Sequence, residues 1–126
     1  AYSRWFSMMK VPLVITEWVK DRENPDTLRY IGYIRLENSP YRIKVYEALD
    51  ACPARMRQLK LSVRERFEES LEAYYNRDFY LARNSFTEIL KDCPEDEITR
   101  WYLFQSEKYL NDGVDKEDFG ALADED

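Results

Sequence analysis

Apolar and polar residues alternate with a period of two over Arg42 to Val45, in the first half of the chain. After Cys52-Pro53 the apolar spacing changes to three and four. The first pattern places successive side chains on opposite faces of a strand, and the second lines one face of a helix. The run from Val11 to Ile15 is rich in β-branched residues and interrupted only by Pro12, so it reads as a strand with an edge-like start. Thr16 fits the N-cap of a short helical turn over 17–21, and Glu23-Asn24-Pro25-Asp26 reads as a loop. Two strand-like runs follow, over 30–36 and 41–49, joined by Glu37-Asn38-Ser39-Pro40. Ile43 and Val45 alternate with Arg42 and Lys44, which predicts a hairpin with one solvated face. Asn38 is suited to a positive φ in its turn.

The helical half divides into three segments. Phe67, Ser70, Leu71 and Tyr74 share one face of a first helix over 62–76. Ala82, Phe86, Ile89 and Leu90 share a face of a second over 79–92. Ile98, Trp101, Tyr102, Gln105 and Tyr109 mark a third over 96–110. Asn76-Arg77-Asp78 separates the first pair. Pro94 ends the second helix, Asp96 can cap the third, and Gly113 fits the position just past its end. The fold class predicted is α+β, with short strands and a β-hairpin followed by a three-helix unit. The expected division is 1–49, a linker over 50–61, the helical unit over 62–112, and an acidic, frayed tail over 113–126.

A length of 126 residues allows one domain or two small ones. The net charge of −6 opposes binding to a polyanion, so no nucleic-acid partner is expected. The most basic stretch holds Arg55, Arg57, Lys60, Arg64 and Arg66, and is followed at once by Glu65, Glu68 and Glu69. It reads as a solvated helix face. No apolar run approaches the roughly 20 residues of a membrane span, and the first ten residues lack a signal-peptide core. The expected location is the cytoplasm, without membrane insertion, and Cys52 and Cys93 are expected to be reduced structural thiols. The absence of histidine removes the commonest metal ligand and His-dependent catalysis.

Ser70, Asp78-Phe79, Ala82, Phe86 and Pro94 occur in an order that resembles a tetratricopeptide repeat. Two helices approach closely only where side chains are small, which gives Ser70 and Ala82 their place at the crossing. Arg66 stands where that repeat carries a bulky aromatic, and Phe67 lies one place later. Only one unit is present, so the third helix, with Trp101 and Tyr102, is expected to cover the hairpin. Tyr74, Tyr75 and Trp101 are the candidate interaction surface, with one of the two tyrosines expected to face solvent.

The first half resembles the closing segment of class III adenylate/guanylate cyclase catalytic domains. The residues that carry this are Ala1-Tyr2-Ser3-Arg4, Pro12 to Glu17, Arg29 to Leu36, and Ile43 to Glu47. Leu59-Lys60, Arg64-Glu65, Phe67-Glu68, Leu71, Tyr74, Asp78-Phe79, Ala82 and Phe86 resemble a helical extension found after that hairpin in bacterial cyclases. The resemblance implies a parent that forms cyclic AMP and diphosphate from ATP as a homodimer, using Mg²⁺ or Mn²⁺. It also implies that the metal carboxylates, the base-reading groups and a catalytic Asn lie ahead of Ala1, in the rest of the catalytic domain. No cofactor is then expected in this chain. Arg4 matches the family's arginine, whose charge meets developing charge on the triphosphate. The segment between Arg4 and Pro12 is shorter than the family's by about one helical turn, so Arg4 is either that catalytic group or an ordinary exposed arginine. A noncatalytic interaction module and a degenerate cyclase-like regulatory domain are the alternatives.

Overall fold

The computed structural model describes residues 13–15, 25–35, 41–114 and 122. The chain forms two compact units, Ala1–Arg57 together with Gly120–Asp126, and Gln58–Phe119. The fold class is α+β, as the change of period predicts. Arg4, the turn expected over 17–21 and the Asn38 turn lie outside the described residues.

The first unit contains strands β1 (Leu13–Ile15), β2 (Leu28–Arg35) and β3 (Arg42–Ala48). They form an antiparallel sheet in the order β1-β3-β2, so β3 is central. The hairpin is not regular. Leu28 to Tyr30 pair with Ala48 to Tyr46, whereas Gly32 to Arg35 pair with Val45 to Arg42. Ile31 is therefore an extra residue in β2, and the bulge switches which face each later side chain occupies. Gly32 next to it has φ of 134°, a conformation that side chains with a Cβ disfavour.

The switch sorts the side chains. One face carries Arg29, Ile31 and Ile34 with Ile43, Val45 and Glu47, nearly all of them buried. There Arg29 Nη2 donates to Glu47 Oε1 at 2.6 Å, with Nε at 3.1 Å, and both side chains are 0% exposed. The other face carries Tyr30, Tyr33 and Arg35 opposite Tyr46, Lys44 and Arg42. Without the bulge, Tyr33 would lie on the face opposite Tyr30.

The second unit is built from most of α1 (Ala54–Tyr75), whose first four residues fall in the first unit, with α2 (Phe79–Asp92) and α3 (Glu97–Asp112). The α1 helix starts well before position 62, so 54–61 is helix and the expected linker shrinks to a short 3-10 turn, Leu49–Ala51, and Cys52-Pro53. Pro53 directly precedes the helix, where a missing N–H costs nothing. The basic residues conceal a stripe in this first part of α1. Lys60, Val63 and Phe67 repeat at helical spacing and all are buried, which corrects the reading of Lys60 as part of a solvated face. The α2 and α3 bounds agree closely with the periodicity.

Caps explain the breaks. The Asp78 carboxylate accepts from the Leu81 N–H, and the buried Asp96 accepts from the Thr99 N–H and, at 2.7 Å, its hydroxyl. Gly113, with φ of 77°, closes α3 by donating to the Tyr109 carbonyl. At the end of α1 the Asp78 N–H bonds to the Ala73 carbonyl and the Arg77 N–H to that of Tyr74. This is a Schellman arrangement with Arg77, at φ of 63°, in the position that favours glycine. The left-handed conformation costs a side-chain-bearing residue about 1–2 kcal/mol, partly offset by the greater unfolded-state freedom of glycine. Arg77→Gly is therefore expected to raise stability by about 0.5–1 kcal/mol in urea denaturation. A lowered midpoint would contradict this account of the turn.

Aromatic rings fill the centre of the helical unit. Tyr74 lies 5.0 Å from Tyr102 and 5.6 Å from Phe79 between ring centroids, and Phe86 stacks on Tyr102 at 5.6 Å. Phe67 contacts both Phe86 and Tyr102. Ser70 and Ala82 are both buried. Cys52 and Cys93 are both buried.

In the region expected to be a frayed tail, the described residues are Gly113, Val114 and, last in the chain, Leu122. Leu122 is 2% exposed, and its N–H donates to the Tyr33 carbonyl on β2 at 2.8 Å. At this position the tail is docked on the sheet.

Candidate interaction site

The three aromatic residues singled out in the sequence separate in the structure. Tyr74 is core: its ring is enclosed by Tyr102, Phe79, Tyr75 and Tyr109, and so it is not part of a contact surface. Tyr75 and Trp101 are half-buried. Trp101 packs edge-on against its chain neighbour Tyr102 at 5.0 Å.

The more exposed apolar side chains of the helical unit are others. Tyr80 is 63% exposed, Leu81 51% and Phe104 64%. Sequence reading missed them because attention to the buried stripe conceals what lies beside it. Tyr80 and Leu81 directly follow Phe79 and lie off the face of Ala82, Phe86 and Ile89, at about 100° and 200° around the helix from Phe79. Phe104 is similarly displaced from Tyr102. A helical projection of the apolar residues outside the stripe was the signal available.

Leu81 borders a groove of about 430 Å³ between α1 and α2, lined by Arg66, Glu69 and Ser70 on one side and by Leu81, Ser85 and Glu88 on the other. Its charges are largely engaged. Arg66 pairs with Asp92 at 2.5 Å across the two helices, and Lys91 pairs with Glu88 at 2.8 Å. The hydrogen bond and charge of Glu88 hold the Lys91 ammonium above the ordinary lysine pKa. These exposed pairs contribute little to stability but leave the rim close to neutral. The Ser70 hydroxyl donates to the Arg66 carbonyl, inside its own helix. Such a groove suits the apolar edge of a peptide or helix and selects by shape more than by charge.

Within the sheet unit, the face that carries Arg42 and Lys44 is basic and aromatic, with Leu28 and Tyr33 buried on it. Arg42 sits over the Tyr33 ring at 4.7 Å, Lys44 over the Tyr30 ring at 6.0 Å, and Tyr30 packs against Tyr46 at 5.6 Å. Among the described residues, no three Cys, Asp or Glu side chains gather as a metal site, and no helix is long and apolar enough to cross a membrane. No protein-family model, curated protein or solved structure matches the chain.

Proposed function

We propose that residues 1–49 close the catalytic domain of a class III nucleotide cyclase, and that the helical unit behind them makes protein–protein or interdomain contacts. The parent protein converts ATP to cyclic AMP and diphosphate with Mg²⁺ or Mn²⁺ as a cytoplasmic homodimer. One observation carries this reading. The segments whose residues resemble the family's last three strands pair in one antiparallel sheet, with the segment Ile43 to Glu47 in its centre.

On this reading the carboxylates that hold the metal ions lie ahead of Ala1, in the rest of the catalytic domain. Arg4 is this chain's one candidate catalytic group.

The isolated 126-residue chain is expected to make no cyclic AMP from ATP with either ion. Expressed with whatever its gene encodes ahead of Ala1, the protein is expected to make it, and Arg4→Ala to reduce turnover by about 10²–10³-fold. Turnover by the isolated chain, or none by the natural gene product with ATP or GTP, would refute the assignment.

The second reading, a noncatalytic interaction module or a degenerate cyclase-like domain, is favoured by the exposed Tyr80 and Leu81 beside the α1–α2 groove. A reading frame opening directly at this segment would select it.

A further inference from the structure

The outward side of α3 carries a stripe of its own. Glu97, Trp101, Phe104 and Lys108 follow one another at spacings of four, three and four, which places them within about 60° of arc along the helix. Ile98, Thr99, Tyr102 and Ser106 occupy the buried side. Phe104 is 64% exposed, Glu97 and Lys108 are exposed, and Trp101 is half-buried. A single exposed ring needs no explanation. Two rings at the centre of a stripe with three-and-four spacing form the seam on which a second helix packs.

The charges identify that helix. Glu97 precedes Trp101 by four residues, and Lys108 follows Phe104 by four. The stripe therefore reads acid, ring, ring, base, and it is complementary to itself run backwards. Two copies of α3 laid antiparallel, about a two-fold axis midway between Trp101 and Phe104, set Trp101 of each against Phe104 of the other. The same axis sets Glu97 of each against Lys108 of the other. Arg100 and Glu107 repeat the arrangement on one flank, since reversal brings Arg100 of one copy beside Glu107 of its mate. A parallel pair would instead place like charges together at both ends of the stripe. The helix dipole accounts for Glu97 in the first turn, but Lys108 lies ahead of the last turn, which holds no base. Among the described residues, neither Glu97 nor Lys108 has an oppositely charged partner.

We propose that the outward side of α3 is a self-association surface on which a second copy of this chain docks antiparallel. Trp101 and Phe104 form its centre, and Glu97–Lys108 pairs close both ends. Each ring buries at most about 250 Å², so each copy contributes less than the roughly 800 Å² of a standard interface. The dimer is accordingly weak and reversible, with Kd on the order of 10⁻⁵–10⁻³ M. The surface lies within the helical unit, and the proposal does not rest on the cyclase assignment.

Sedimentation equilibrium of the full chain from about 10 μM to 1 mM tests it. The unaltered chain is expected to dimerise across this range. Phe104→Ser should weaken association at least tenfold, with far-ultraviolet circular dichroism unchanged. Glu97→Lys alone and Lys108→Glu alone should each weaken it by about fivefold, because each sets like charges together at both ends. An equimolar mixture of those two variants should regain the original affinity, since every end of the mixed dimer then joins a lysine to a glutamate. If Phe104→Ser fails to fold, the charge series decides. A dimer held by the sheet unit would be indifferent to all of these changes, and that result would overturn the proposal. So would a mixture no more associated than its components. A chain still monomeric at about 1 mM would also overturn it, leaving the stripe to a helix of another protein.

Discussion

Alanine in place of Tyr74 is expected to destabilise the helical unit by about 3–5 kcal/mol, a large share of the roughly 5–15 kcal/mol that holds an ordinary domain folded. The magnitude follows from position. Tyr74 is fully enclosed, with ring contacts to residues on all three helices: Tyr75 on its own, Phe79 on α2, and Tyr102 and Tyr109 on α3. Removing the ring loses its transfer free energy and leaves a void walled by rigid aromatic groups that cannot easily collapse. Tyr74→Phe keeps the ring and is expected to cost less than about 1.5 kcal/mol. Urea denaturation followed by far-ultraviolet circular dichroism separates the two. A loss below about 1 kcal/mol in Tyr74→Ala would show that the ring cluster does not hold the helices together.

The other large effect concerns the ion pair inside the sheet. Arg29 and Glu47 are paired across adjacent strands and both are closed to water. Removing either partner takes a close, hydrogen-bonded counter-charge from a buried ion, so Glu47→Leu is expected to cost about 3–5 kcal/mol, and Arg29→Met a comparable amount. Making both changes removes the desolvation penalty together with the attraction, so the double variant should recover most of the loss. The decisive quantity is the coupling in a double-mutant cycle. Losses that simply add would mean the two side chains do not act as a pair.

How far the sequence foretold this architecture depended on whether one local period dominated. For α2 and α3 an apolar stripe is bounded by clear caps, Asp78, Asp96 and Gly113, and both helices lie almost where the pattern puts them. The α1 start was hidden because Arg55, Arg57, Gln58 and Lys60 dilute a stripe in which a lysine is itself buried. The hairpin was legible from alternation, and Gly32 inside β2 was the one local sign of a bulge, but the register change at Ile31 is fixed only by pairing with β3. For the same reason Arg29 and Glu47 could not be matched beforehand. Of the candidate surface, Tyr74 was misplaced by its neighbourhood. Its ring counts as surface or core only once α2 and α3 are packed around it, and local sequence carries no such information.

The bond from Leu122 to Tyr33 also orders events in time. The helical unit intervenes between its two ends in the chain. Helix turns close over a few residues and form early, whereas a contact between remote positions must wait until the intervening chain has been brought into a compact state. The sheet unit is therefore begun by its hairpin and completed only after the helices. Its last contact is the most exposed to delay, so a newly made chain spends part of its maturation with the β2 surface still accessible to other molecules.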